Sequence, residues 1–253
     1  MGFYNLSKDE REKILTNMRI DIMADIKNYK TEKISKLMSN SDTYIRKNTY
    51  QIIGNYYKEQ STLRSIIYTM LRKLYSTGNE FIRQTTINTF GEIGKFDAES
   101  VMDMLELAFK DLSKKVKNAV VGSLKKMGEK NPKPTLEFAK KYLHHDDPKI
   151  RQEIIHGIEL RGRTHPEDIL PLLKEVQNDK NRGVRKKIIH VIAQISYKKD
   201  CLEKVISDLN NWENKDLIKE AIEEIIDVHQ RYAKFCSKTP TEAQEYINNN
   251  LKI

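Results

Sequence analysis

A motif recurs six times along the chain with a nearly fixed period. Each copy has a polar turn, an Ile or Val, a basic residue and then an apolar helical segment, as in Asp147-Pro148-Lys149-Ile150-Arg151. The six key aliphatic residues are Ile45, Ile82, Val116, Ile150, Val184 and Ile218. Their spacing is 37 residues once and 34 residues four times. A fixed period of this length predicts a solenoid, in which each unit buries its apolar face against its neighbours.

Each repeat has the apolar periodicity of two antiparallel helices, and no stretch alternates with the period of a strand. We expect the first helices at 31–39, 62–76, 98–110, 132–144, 166–178 and 200–211. We expect the second helices, which begin at the motif, at 43–58, 80–94, 114–129, 148–160, 182–196 and 215–232. Ser7 with Glu10 and Thr239 with Glu242 have capping-box spacing, which predicts a helix at each end of the chain.

Glycine or alanine stands at several apolar positions of the second helices. These residues are Gly54, Gly91, Gly122, Gly157 and Ala193. We expect them to allow close helix packing.

The six-unit array predicts a single domain over 1–253, with a cap at 1–29, six repeats at 30–232 and a tail at 233–253.

The composition favours a polar or charged partner and gives no sign of a membrane segment. The formal net charge is +9, and the region after residue 200 is acidic whereas the preceding body is strongly basic. A basic body favours phosphate-rich or acidic partners, although solubility alone also explains such a charge. Apolar runs are too short for a membrane span, and the first residues lack a signal-peptide pattern. Two cysteines without a Cys-x-x-Cys motif indicate a reducing compartment, so we expect a cytoplasmic monomer.

The basic residue after each key aliphatic forms a regular column. Its members are Arg46, Arg83, Lys117, Arg151, Arg185 and Lys219. One interpretation is a ladder of phosphate contacts. The interpretation we favour is structural: each cation pairs with turn carboxylates such as Asp42, Asp147 or Asp179 and joins neighbouring repeats.

Positions two and six residues after each key aliphatic are expected to face the concave side, and we call them the lining positions. They hold Lys47 and Gln51, Gln84 and Asn88, Asn118 and Gly122, Gln152 and His156, Lys186 and His190, and Glu220 and Glu224. Amides, imidazoles and lysines suit phosphates, sugars, base edges or peptide backbone, which predicts a binding groove. A solvated helix face would look similar.

A basic run at 180–187 adds five cations at a helix start, where the helix dipole already favours anions. They are Lys180, Arg182, Arg185, Lys186 and Lys187. Sequence-independent binding of a nucleic-acid backbone is one interpretation, and a solvated face is the other.

Two histidine patterns contain residue types that bind metals or transfer protons. His144-His145-Asp146-Asp147 contains ligand types, but consecutive residues do not converge on one ion, so we expect no metal site there. His156 and His190 lie one repeat apart and suit a proton-transfer pair, yet no carboxylate is expected at a matching position. We therefore predict no cofactor and no catalytic residues.

The Asp-x-x-Ile/Val-Arg opening of the second helices resembles HEAT repeats over about residues 30–232. The resemblance implies an all-α fold: a right-handed α-solenoid of about six HEAT-like helical pairs with terminal capping helices. It also implies a binding scaffold more often than an enzyme.

The stretch from Ile150 to Lys186, with His165-Pro166-Glu167 and Gly183-Val184-Arg185-Lys186, is similar to the AlkD and AlkC type of alkylpurine DNA glycosylases. That resemblance implies DNA binding and, in an enzyme, aromatics and a carboxylate beside a cationic base. Trp212, the single tryptophan, lies outside the lining positions, so no catalytic residue carries over. A non-enzymatic scaffold for nucleic acid or an acidic protein, an AlkD-like glycosylase and a protein–protein adaptor all remain open.

Overall fold

The computed structural model describes residues 2–252, and these residues form helices and turns without a strand. The fold is all-α and of the α-solenoid class, built from HEAT-like helical pairs. The chain divides into two compact units, Met1–Asn131 and Pro132–Ile253. The boundary falls between the third and fourth helical pairs, and the single array of six repeats stays a prediction.

The first unit holds a capping helix followed by three pairs. The capping helix is α1 (Lys8–Lys27), which packs on the first pair. The pairs are α2 (Glu32–Met38) with α3 (Thr43–Glu59), α4 (Arg64–Tyr75) with α5 (Glu80–Gly94), and α6 (Met102–Phe109) with α7 (Lys114–Lys130). Neighbouring second helices pack side by side, α3 on α5 and α5 on α7.

The second unit repeats this arrangement and ends in a short helix. Its pairs are α8 (Pro132–Tyr142) with α9 (Pro148–Gly162), α10 (Pro166–Glu175) with α11 (Arg182–Gln194), and α12 (Cys201–Leu209) with α13 (Lys215–Arg231). The last helix, α14 (Pro240–Asn250), packs on α12 and α13. Helices α9, α11 and α13 are again consecutive neighbours.

The predicted helices are confirmed. The second helices begin at the predicted residues, and a side chain caps each of them except α7. Asp42, Asn79, Asp147, Asn181 and Asn214 each accept a hydrogen bond from an amide in the first turn of the second helix that follows. Such caps satisfy amides that lack a partner within the helix. Both expected capping boxes are present, at the starts of α1 and α14. The first helices end up to three residues early, as α10 does at Glu175.

The key aliphatics form the spine of each unit's core. Ile82, Val116, Ile150, Val184 and Ile218 are buried, whereas Ile45 is half-buried. Ile45 stands in the first pair, whose neighbour on the N-terminal side is the capping helix and not another repeat. The period therefore marks the positions that pack between repeats.

The glycines of the second helices differ in whether a neighbouring helix packs too closely to leave room for a Cβ atom. A Cβ on Gly54 would lie 2.6 Å from the Glu92 Cβ, and one on Gly91 would lie 2.9 Å from the Ser123 Cα, so both glycines are required for close packing. A Cβ on Gly122 would meet no atom within 4 Å. The expectation that Gly122 serves close packing is therefore wrong: this glycine stands on an open helix face.

His229 is fully buried in α13 and gives a prediction about pH. Its Nδ1 lies 2.8 Å from the Ile225 carbonyl oxygen, and burial lowers the pKa of the ring below its usual value. An unfolded histidine takes up a proton near pH 6.5, so the unfolded state binds more protons below that pH. The free energy of unfolding should therefore fall on acidification, by at most about 1.4 kcal/mol per pH unit.

Urea unfolding of the wild type and His229→Leu between about pH 7.5 and 5.5 measures this contribution. His165→Gln, at a more exposed histidine, is the matched control. The leucine variant should show the shallower pH dependence, and equal slopes for all three proteins would contradict the assignment.

Within residues 2–252, none of the helices combines the length and apolar character that crossing a bilayer requires. Cys201 is buried, Cys236 is half-buried, and neither forms a disulfide. Burial raises the pKa of both thiols.

Candidate functional site

The lining positions reach solvent in every pair, as a binding surface requires. In the first unit Lys47 and Asn118 are exposed, and Gln51, Gln84, Asn88 and Gly122 are half-buried. In the second unit Lys186 and Glu220 are exposed, and Gln152, His156, His190 and Glu224 are half-buried. The key aliphatics two or six residues earlier are mostly buried, so the second helices present a polar face opposite their packed one.

The basic column is structural in two repeats with the same geometry. Arg83 donates from Nε to Asp111 Oδ2 at 2.8 Å, and Arg151 donates from Nε to Asp179 Oδ2 at 2.7 Å. A second guanidinium nitrogen of each arginine reaches the other carboxylate oxygen, at 3.2 and 2.8 Å. Asp111 and Asp179 lie in the turn of the following pair, so each ion pair joins consecutive repeats. These arginines are unsuited to a phosphate ladder.

The remaining column members are more varied. Arg46 donates to the Asn40 and Ser41 carbonyls, and Arg185 to those of Asp179 and Lys180. Lys219 is exposed and lies 3.9 Å from Asp216. Asp42 and Asp147, which were expected as pairing carboxylates, accept hydrogen bonds from the helix amides of Tyr44 and Lys149. These aspartates cap helices because their own turns place them next to the first amides.

The environment of Asp179 shows which physical effect dominates at these pairs. Burial alone would raise its pKa, but hydrogen bonds from the Arg151 guanidinium and the Asn181 amide hold it below its usual value. The same balance lowers the pKa of Asp111, with Arg83 and the Ser113 amide as donors. Both carboxylates are therefore ionised and fully paired near neutral pH.

A cleft in the first unit brings aromatic rings to the lining positions. Its volume is about 410 Å³, and it contains Lys47 and Gln51 together with Tyr4, Tyr44 and Arg11. The Tyr4 and Tyr44 rings are 3.9 Å apart and remain largely exposed. Sequence reasoning missed these tyrosines because both stand outside the lining positions. Exposed rings beside cations are the usual platform for stacking bases.

The basic run is divided between two environments. Lys180 and Arg182 are exposed at the start of α11, and Lys187 is half-buried on its second turn. Lys186 instead lies in a cleft of about 460 Å³ with Glu220, Glu223, Glu224 and Asp227. Those carboxylates oppose an anionic ligand at Lys186 more than at Arg182.

His156 and His190 do approach each other, and a carboxylate lies with them. Their rings are 6.2 Å apart, and Glu159 Oε2 lies 3.3 Å from His156 Nε2 and 3.9 Å from His190 Nε2. Glu159 is buried, and its Oε1 accepts a hydrogen bond from Arg163 at 2.5 Å. The expectation that no carboxylate matches the histidines is therefore wrong. Glu159 escaped notice because it stands three residues after His156, outside the lining positions.

The residues at 144–147 do not converge. His144 Nε2 lies 3.4 Å from Glu175 Oε2, whereas Asp147 caps α9 through the Lys149 amide. His145 Nδ1 accepts a hydrogen bond from the Asp147 amide. The three side chains are thus committed to separate local contacts.

Trp212 lies away from the lining positions. Its side chain is buried after α12, and its Nε1 donates to Asp208 Oδ2 at 2.7 Å. A buried ring with a satisfied N–H serves packing, so it offers no face for a substrate base.

Comparisons with known proteins agree with this architecture. The family model for HEAT repeats matches residues 136–225. The structure of AlkD2 from Streptococcus mutans aligns at 19% identity with a TM-score of 0.56, covering 84% of this chain and 100% of that one. The structure of smu.31 from Streptococcus mutans UA159 aligns at 19% identity with a TM-score of 0.48, covering 74% of this chain and 99% of that one.

The sequence matches no curated protein. At 19% identity the likeness to AlkD2 concerns the fold alone. The resemblance to HEAT-repeat proteins is confirmed over residues 136–225, and the resemblance to AlkD-type proteins is confirmed as one of fold.

Proposed function

We propose that this protein is a non-enzymatic HEAT-like scaffold that binds a nucleic-acid backbone without reading its sequence. The observation that carries the proposal is the cleft of the first unit, where Lys47 and Gln51 meet exposed Tyr4 and Tyr44. Cations hold phosphates, amides hydrogen-bond to sugars and base edges, and tyrosine rings stack on unpaired bases, such as those at a duplex end.

The polar lining positions extend the binding surface along each unit. Gln84, Asn88 and Asn118 continue it in the first unit, and Gln152, His156, His190 and the basic run supply it in the second. Among the cations of the run, Arg182 and Lys187 are assigned the main phosphate contacts. Arg185 is assigned a supporting part, because its guanidinium donates to two backbone carbonyls. Lys186 is assigned a weaker contact, because carboxylates surround it.

The glycosylase alternative is disfavoured by the environments of Trp212, Tyr57 and Tyr68, and the exposed rings of Tyr4 and Tyr44 are assigned to stacking. The sequence resemblance to AlkD-type glycosylases implies DNA as the partner, but a base-releasing enzyme needs aromatic faces and a carboxylate around the base. Trp212 is buried with its N–H satisfied. Tyr57 is buried, and the ring of Tyr68 packs edge to face on Phe90. We therefore assign binding and no reaction.

The experiment is fluorescence anisotropy with a short duplex DNA and a variant that removes three cations, one from the cleft of the first unit and two from the basic run, Lys47→Ala/Arg182→Ala/Lys187→Ala. Arg185 is left in place so that the turn before α11 keeps its hydrogen bonds. The control, Lys36→Ala/Lys73→Ala/Lys110→Ala, removes the same charge from exposed positions at or beside first helices.

The triple variant should bind DNA at least about tenfold more weakly, and its salt slope should fall by about 0.9 for each phosphate that it no longer neutralises. The control should bind nearly as the wild type does. Equal decreases in affinity for both variants would show that DNA affinity depends only on net charge, and this result would overturn the assigned surface. Binding of an acidic protein but not of DNA would contradict the nucleic-acid partner and favour a protein partner.

A further inference from the structure

We infer that His156, Glu159 and His190 form a binding site for a divalent transition-metal ion of the zinc class. The three ligand atoms, one from each side chain, all lie within 4.8 Å of one another. His156 and His190 also belong to the proposed nucleic-acid surface, but the inference rests only on the geometry of this cluster within the second unit.

The fold explains why these residues meet. His156 and Glu159 are three residues apart on α9, which places them on the same helix face. His190 occupies the corresponding lining position of α11, which packs beside α9. The two histidines therefore come from consecutive repeats, and the carboxylate lies beneath them.

The distances suit a small ion after a modest adjustment. In a tetrahedral zinc site with bonds of about 2.1 Å, neighbouring ligand atoms are about 3.4 Å apart. Glu159 Oε2 is already 3.3 Å from His156 Nε2, and 3.9 Å from His190 Nε2. The larger gap is at His190, whose side chain is 38% exposed and so less restrained by packing than Glu159. Two histidines and one glutamate are a known zinc donor set that leaves a position for water or another ligand.

The surroundings orient the carboxylate as metal sites require. Glu159 Oε1 accepts a hydrogen bond from Arg163 Nη2, which also donates to Gln194 Oε1 at 3.1 Å. The Arg163 contact fixes one oxygen and leaves Oε2 directed at the two imidazoles. Hydrogen-bonded ligating carboxylates are typical of protein metal sites.

The neighbouring cleft favours cations. His190 borders the cleft that holds Glu220, Glu223, Glu224 and Asp227. Arg231 pairs with Glu224 at 2.8 Å and with Asp227 at 2.5 Å, so it neutralises part of this charge. Glu220 and Glu223 are exposed, and their negative potential would concentrate a divalent cation beside His190.

The test is titration of the full-length protein, stripped with a chelator, with ZnCl₂ by calorimetry and with CoCl₂ by visible absorption. The variants are His156→Gln and His190→Gln, and the control is His165→Gln, which alters a histidine 3.5 Å from Glu167. Glu159 is left unchanged, because its removal would leave the Arg163 guanidinium without its carboxylate partner.

The wild type should bind one Zn²⁺ per chain, and the Co²⁺ form should show the strong visible bands of a tetrahedral site. Either glutamine variant should weaken Zn²⁺ binding at least about tenfold and remove those bands. The control should behave as the wild type. Absence of Zn²⁺ binding, or an equal weakening in His165→Gln, would overturn the site. The titration contains no nucleic acid, so either result would overturn the metal site and leave nucleic-acid binding to its own experiment.

Discussion

Asp179→Ala should lower the free energy of unfolding by about 3–5 kcal/mol, because it breaks a buried pair by removing one partner. Asp179 and Arg151 are only 8% and 14% exposed, and two guanidinium hydrogen bonds join them. The substitution leaves the arginine without its carboxylate. It also removes the acceptor of the Asn181 amide at the turn before α11.

The control for this prediction is Asp216→Ala, which changes another carboxylate beside the basic column. Asp216 is 93% exposed and lies 3.9 Å from Lys219, so its removal should scarcely change stability. Urea unfolding followed by circular dichroism measures both variants. Similar effects of the two substitutions would show that the column does not join repeats.

The difference in the free energy of unfolding between the wild type and Asp179→Ala should depend on pH, which gives a second check. The pKa of folded Asp179 lies below the value of about 3.9 for an unfolded aspartate. The contribution of Asp179 to the free energy of unfolding is therefore complete above about pH 4 and is lost as the pH falls through the folded pKa. The wild type and Asp179→Ala should thus differ less in stability at acidic pH.

Gly91→Ala should destabilise the protein by about 1–3 kcal/mol, because the new methyl group overpacks the contact between α5 and α7. The added Cβ would lie 2.3 Å from the Ser123 Oγ and 2.9 Å from the Ser123 Cα. A flexible side chain tip can move away, but a backbone atom moves only with its helix. Relief of this clash therefore requires α7 to shift.

Gly122→Ala is the matched variant on the open face of α7. No atom would lie within 4 Å of its Cβ, so the higher helix propensity of alanine should stabilise the protein by about 0.5–1 kcal/mol. Urea denaturation midpoints of Gly91→Ala and Gly122→Ala measure both changes in stability. We expect a lower midpoint for Gly91→Ala and a higher one for Gly122→Ala. A lower midpoint for Gly122→Ala would show that this lining position is packed.

The repeat pattern predicted most of the fold because each copy contains both a residue that caps the second helix and an aliphatic residue that packs between repeats. An Asp or Asn followed by a key aliphatic specifies where a second helix begins, and the structure places caps at Asp42, Asn79, Asp147 and Asn181. The ends of the first helices were less predictable. Their last turns lack a comparable signal, so α10 ends at Glu175 although the helical pattern continues to residue 178.

The site was only partly predictable because its contacts cross from one repeat to the next. Arg83 and Asp111 are 28 residues apart, as are Arg151 and Asp179, so a search for this spacing would have found both pairs. Glu159 gave a weaker signal. A glutamate amid isoleucines of a buried helix face needs a partner, but only the structure shows His156, His190 and Arg163 around it.

The most direct test of the proposed scaffold is the equilibrium binding of the wild-type protein to a short duplex DNA across a salt series. If the lysines of the lining positions and the basic run together neutralise about six phosphates, affinity should fall about 10³-fold between 50 and 200 mM salt. The logarithm of affinity should then decrease linearly with the logarithm of salt concentration. Absence of binding at about 50 mM salt, or an affinity that salt does not change, would contradict nucleic-acid backbone binding.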